Sequence, residues 1–284
     1  KLAHMQRRRG YMQFLILVLL LILEGAAIPK FQNDASYFSL GKSVVSEEFF
    51  RSHELTEEMV SYMRTSKEPG RAAGLFLLEQ NFHSDISFPS LTKQNFQKIE
   101  KQWRASPSYS AYMAACEKIW ADVRYFPVMF WKEEPDLTVT YEDSWMYERT
   151  YGGKRGHEGT DLMASENKRG IFPIVSMTDG TVTSKGWLPK GGWRIGITAP
   201  HGGYFYYAHL DSYADVEIGE EIEAGDLIGY MGDSGYGDEG TTGKFPVHLH
   251  LGIYLEEPDE EISINPYWIL RYAEDSKLFC RKSD

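Results

Sequence analysis

The sequence predicts an all-β domain of antiparallel sheets, preceded by a small all-α region and an N-terminal membrane helix. Three observations carry this. From Pro127 onward, β-branched and aromatic runs alternate with Gly and Pro turns, as in GIFPIVSMTDGTVTSKGW, GGWRIGITAP, YFYYAHL, DLIGYMG and HLHLGIYL. Before Pro127, apolar residues recur at helical spacing. At the start, three arginines precede an unbroken apolar run, Phe14–Leu23. The chain therefore divides into residues 1–29, 30–126 and 127–284.

The arginines at 7–9 form the only dense basic run, and positive charge stays on the cytoplasmic side of a membrane. Tyr11–Ile28 is just long enough to span as a signal anchor, the preferred reading. Gly25-Ala26-Ala27 offers the alternative, a signal peptide cleaved after Ala27. Both readings place the remainder of the chain outside the cell membrane, held there by a single pass or secreted. The KLAH before Met5 reads as a leading tag.

In the second region, SEEFFRSHELTEEMVSYMRTSKEPG opens on Ser46 with Glu47 and Glu48, an N-cap pattern, and Pro69-Gly70 is expected to stop it. RAAGLFLLEQNF, LTKQNFQKIEKQWRAS and PSYSAYMAACEKIWADVRYF continue as helices. Without repeats or low-complexity linkers, residues 30–126 read as a packed helical spacer, with a groove cover or a partner-binding module as alternatives. In the third region, Asp179-Gly180 is expected to turn a hairpin between its flanking runs. INPYWILRYAED is expected to close the domain with a short helix.

At 284 residues and 42% hydrophobic content, the chain is long enough for about two domains. A net charge of −11 argues against a nucleic-acid partner. Cys116 and Cys280 could bridge in an exported protein, although their spacing demands no bridge.

The chemistry sits in the histidines. In FPVHLHLGIY, His248 and His250 lie two apart on an expected strand and share one face, while Leu249 and Leu251 turn to the core. A bare H-x-H is most often a half-buried polar pair. Here it has company: GHEGTDLMA carries His157 and Asp161, and FYYAHLDS carries His209. Imidazole nitrogen and carboxylate oxygen are the ligands of catalytic zinc, which takes three from the protein and leaves a position open. Five candidates compete for three places, and the two left over suit proton transfer. His201 in APHGGY reads as an exposed turn residue, and His53 and His83 as structural.

The order H-x-x-x-D, lone histidine, H-x-H runs through roughly residues 140–270, with EAGDLIGYMGDSGYGDEGTTGKFPVHLH joining the last two. In this the chain resembles the lysostaphin/LytM-type zinc metallopeptidases, which hydrolyse peptide bonds of bacterial peptidoglycan. The resemblance implies the duplicated hybrid motif fold, with the metal at one end of a sheet-lined groove. It implies one Zn²⁺ per chain on His157, Asp161 and His250, and catalytic roles for His209 and His248. Which of those two is the base stays open. Tyr151 precedes His157 by six residues, where some members keep a tyrosine that helps hold the oxyanion. Lys154 and Arg155 are candidates for a substrate carboxylate. The implied reaction is endopeptidase cleavage of stem or cross-link peptides by metal-activated water. The alternative is a silent scaffold or activator in division or sporulation, with partners on the helical region. Silent relatives usually lose ligand or catalytic histidines, and all five positions are intact here. The bond cut is not legible.

Overall fold

The computed structural model describes Val18 and residues 39–82, 93–256 and 260–281. Val18 apart, the expected membrane segment lies outside the described residues, as do His4 and His83. Among the described residues no helix is long and apolar enough to cross a membrane.

The helices are α1 (Glu48–Arg51), α2 (Glu57–Thr65), α3 (Pro69–Glu79), α4 (Lys93–Trp103), α5 (Tyr109–Trp120) and α6 (Tyr267–Ala273). The stretch expected as one helix from Ser46 is broken. His53 takes φ 50°, and the Thr56 hydroxyl caps α2 by accepting from Met59 N at 3.3 Å. Pro69 does not stop a helix; it starts α3. Its missing N–H costs nothing in a first turn, where that donor has no helical partner.

The strands are β1 (Phe130–Trp131), β2 (Val139–Thr140), β3 (Glu148–Arg149), β4 (Arg155–Gly156), β5 (Thr160–Ala164), β6 (Pro173–Val175) and β7 (Gly180–Leu188). They continue with β8 (Gly192–Thr198), β9 (Gly203–Tyr213), β10 (Glu221–Ile222), β11 (Leu227–Met231), β12 (His248–Glu256), β13 (Glu261–Ile264) and β14 (Phe279–Cys280). The main sheet runs β10-β7-β8-β9-β12-β5-β2, antiparallel throughout. The expected Asp179-Gly180 hairpin does not form: β6 pairs with β11, while β7 pairs with β8 and β10. Asp179 instead accepts from Ala224 N at 2.8 Å and meets Arg124 at 2.6 Å. The expected terminal helix is α6, and the chain then returns to pair β14 with β1 in parallel.

The helices pack on the β domain through one continuous apolar core, which runs from Phe50, Phe76 and Trp120 to Phe205, Leu251 and Ile253. Polar clamps fix the contact. Arg51 donates to Ser263 O at 3.1 Å and Arg64 to Tyr272 O at 3.1 Å. His201 sits in its expected turn, where its backbone N–H and ring Nδ1 both reach Asp122 at 2.8 Å. His53 is fully buried: Nδ1 donates to Phe50 O at 3.1 Å and Nε2 accepts from Trp120 Nε1 at 2.8 Å. Cys116 is buried inside the helical core, and Cys280 lies on β14, where its Sγ donates to Phe130 O at 3.8 Å.

Candidate active site

Strand pairing assembles the site. β12 lies between β5 and β9, with His250 directly opposite Asp161 on one side and Ala208 on the other. His157 precedes β5 in a segment pinned by backbone hydrogen bonds of 2.9 Å to Met146 and Tyr147. Three ligand-type atoms converge. His157 Nε2 lies 3.1 Å from Asp161 Oδ1 and 3.1 Å from His250 Nδ1, and the last two are 2.9 Å apart. Tetrahedral ligands at ~2.0–2.1 Å from zinc stand ~3.3 Å from one another, so two imidazoles and a carboxylate at this spacing fit that ion.

Their partners set the chemical state. His157 Nδ1 faces the Ser144 carbonyl at 3.3 Å and its hydroxyl at 3.0 Å. A carbonyl only accepts, so Nδ1 carries the proton and Nε2 offers its lone pair to the cluster. Burial works against the charge of Asp161, but the neighbouring His157 and His250 rings outweigh it and hold the carboxyl far below the usual range. Arg149 grips the other oxygen, Oδ2, at 2.6 Å. Burial lowers the pKa of His250 and favours the neutral ring that a metal requires.

His209 and His248 complete the cluster, with ring centroids 4.7 Å apart and His209 5.9 Å from His250. His248 Nδ1 donates to Pro246 O at 2.7 Å, and His209 Nδ1 donates to Ser234 O at 2.8 Å. Both rings therefore keep Nε2 as the acceptor. Phe245 packs on both, at 4.6 Å and 5.1 Å. Burial lowers both pKa values, that of His209 furthest, with the neighbouring His248 and His250 adding to the effect.

Simple alternation along β9 puts His209 with Phe205 and Tyr207, on the core face. A left-handed residue at His209, φ 63°, breaks the alternation, and the β9 pairings with β8 and β11 both slip beside it. The bulge turns the imidazole toward His157, Asp161 and His250.

The cluster lines a groove of about 640 Å³. Tyr204, Tyr206 and Tyr254 continue its floor, and Arg149, Arg155, Lys190 and Arg194 line it among others. Of the expected residues, His157, Asp161, His209, His248 and His250 come together. Tyr151 does not reach the lining; its ring lies flat on Tyr236, a lining residue, at 4.0 Å and 2°. Lys154 points away and pairs with Glu148 at 2.7 Å. Ser144, Ser234, Arg149 and Gly159 went unread in the sequence as site residues. Gly159 packs against His250, and a Cβ there would stand 2.4 Å from the ring.

Residues 155–266 match the profile of peptidase family M23, and residues 37–122 that of the LytM N-terminal domain. A solved structure from Ruminococcus gnavus ATCC 29149, described as a candidate glycyl-glycine endopeptidase lytM, is 56% identical to this chain. The match covers 84% of this chain and 95% of that one, with a TM-score of 0.78. The chain belongs to peptidase family M23. Within it, the L-Ala–D-Glu endopeptidase of Bacillus subtilis (strain 168) is 44% identical over 46% of this chain and 40% of the relative. Lysostaphin of Staphylococcus simulans is 31% identical over 48% of this chain and 28% of the relative. The chain thus spans less than half the length of these curated M23 relatives. The M23 match contains all five clustered residues, and the LytM N-terminal match covers the helices packed behind them.

Proposed function

We propose that this chain is a zinc-dependent endopeptidase that hydrolyses peptide bonds of bacterial peptidoglycan, in stem or cross-link peptides. The observation that carries the reading is the convergence of His157, Asp161 and His250 within 3.1 Å, beside two further imidazoles tied in one tautomer. His157, Asp161 and His250 are the proposed ligands of one Zn²⁺. When bound, the ion supplies Lewis acidity to a carbonyl and acidifies water.

The chain's own groups do the rest. Arg149 orients Asp161, and Ser144 orients His157. His209 and His248 each present an unprotonated Nε2 into the groove, able to take a proton from water and return it to the departing amine. Their tethered Nδ1–H groups keep the rings from turning as the proton moves. Phe245 shields both from bulk water. The tyrosine floor offers flat surface and hydroxyls to an extended peptide.

A silent scaffold is not favoured, since it has no use for two oriented imidazoles beside a complete donor set. In this reading residues 127–284 form the catalytic unit, residues 30–126 brace it, and residues 1–29 carry it to the outer side of the membrane, where peptidoglycan is. The test is digestion of purified peptidoglycan with mass spectrometry of the fragments, with and without chelator. New peptide termini that vanish on chelation and return with zinc are expected. Intact peptides under zinc-replete conditions would refute the reading.

A further inference from the structure

We propose that Arg194 binds a free carboxylate on the substrate residue next to the scissile bond, so that the groove favours acidic stem peptides over polyglycine. This rests on the peptidase reading above and names its substrate class.

The groove is a cationic exception in an acidic protein. The chain carries a net charge of −11, yet four cations and three acids line this groove. Two of the acids are engaged: Glu158 with Arg51 at 2.7 Å, and Asp161 with Arg149 at 2.6 Å. Arg194 has no carboxylate within ion-pair distance among the described residues. Its Nη1 is shut off from solvent with no hydrogen-bond partner, although the residue as a whole is half-buried in the groove wall. A guanidinium without a carboxylate partner leaves its charge uncompensated, and a carboxylate in the groove supplies that partner on the open side of the half-buried side chain.

Position selects Arg194 over its neighbours. It lies on β8, an interior strand, and Tyr213 holds its backbone from both sides: Arg194 N–H donates to the hydroxyl at 3.1 Å, and the hydroxyl donates to Arg194 O at 2.9 Å. Gly186 is its partner on β7, and the β9 residue nearest its row is Ala208, which faces His250 on β12. Two strand spacings, about 10 Å, thus separate the Arg194 backbone from His250, and both residues line the same groove. A carboxylate one residue from a carbonyl at the metal cluster falls in this interval, since consecutive Cα atoms are ~3.8 Å apart. A glycine bridge brings no carboxylate and leaves the guanidinium unpaired, which is how a polar site rejects a ligand that lacks the matching group.

The test compares, on the zinc-loaded full chain, an L-Ala–D-Glu stem peptide with a free α-carboxylate, the same peptide as its α-amide, and pentaglycine. The expected kcat/KM for the acid exceeds that for the amide by about tenfold to hundredfold, mainly through KM. Arg194→Gln should bring that ratio close to one, and Arg194→Lys should keep part of it. Calorimetric binding of acid and amide carries the same comparison without turnover. If no peptide is cut, the peptidase reading fails while the binding ratio still decides the role of Arg194. Equal handling of acid and amide by the wild type, or an unchanged ratio in zinc-replete Arg194→Gln, overturns the proposal.

Discussion

Gly159→Ala is a one-methyl perturbation aimed at the proposed zinc ligand His250. Position 159 has no left-handed backbone, so alanine meets no conformational penalty there. The added Cβ would stand 2.4 Å from His250 Cε1, 2.6 Å from its Nε2 and 2.7 Å from Leu251 O. Carbon contacts settle at about 3.5–4.0 Å, so the ring must retreat by roughly 1 Å. That retreat stretches the two edges that His250 Nδ1 makes, now 2.9 Å to Asp161 and 3.1 Å to His157. Disturbing the support of a metal ligand typically weakens the metal by ~10–100-fold, or about 1.4–2.8 kcal/mol. A misplacement of ~1 Å at a reacting centre costs ~10² in rate. Zinc affinity is read by chelator competition, and kcat on a peptidoglycan peptide at saturating zinc. Gly41→Ala is the control, since a Cβ there meets nothing within 4 Å. Wild-type zinc affinity and turnover in Gly159→Ala would refute the packing argument.

Arg149→Met removes the grip on Asp161 Oδ2 while keeping apolar bulk; zinc affinity should fall by ~10–100-fold, and an unchanged value in the same competition assay removes Arg149 from the site. His53 has its pKa lowered to about 4 by burial, so the unfolded chain, near 6.5, binds the extra proton first as pH falls. Stability should therefore drop by about 3 kcal/mol between pH 6.5 and pH 4 through this group alone. Urea melts should be steeper in pH for the wild type than for His53→Gln, and equal slopes would contradict the assignment; the other buried histidines contribute to both proteins and cancel. Tyr151→Phe keeps the stack on Tyr236, so kcat should hold within about twofold, whereas Tyr151→Ala should raise KM by loosening the rim. A loss of ~10² in kcat for Tyr151→Phe would instead put its hydroxyl at the oxyanion.

Local periodicity made part of this site legible. Period-two alternation correctly paired His248 with His250 on one face of β12, and H-x-x-x-D is short enough for His157 to fold back beside Asp161 at the edge of β5. The same alternation misplaces His209, because a bulge set by distant strand pairings decides its direction. Pro69 was ambiguous for a related reason: a proline ends one helix as readily as it begins the next, and only the Thr56 cap shows that α2 had already started and α3 still lay ahead. Asp179-Gly180 has hairpin chemistry, but β6 satisfies its edge with β11, a partner some fifty residues away in sequence. Ser144, Ser234 and Arg149 act through local hydrogen bonds from loops or short ladders, which leave no period to read.

The central claim is that three residues hold zinc and two others move protons. Metal analysis of the purified chain and five single-alanine variants, with turnover measured on the same samples, tests it most directly. About one zinc per chain is expected in the wild type, and none is expected in His157→Ala, Asp161→Ala or His250→Ala. His209→Ala and His248→Ala should keep the metal and lose ~10²–10⁴ in kcat. Full zinc occupancy in any of the first three, or wild-type turnover in either of the last two, would contradict the account.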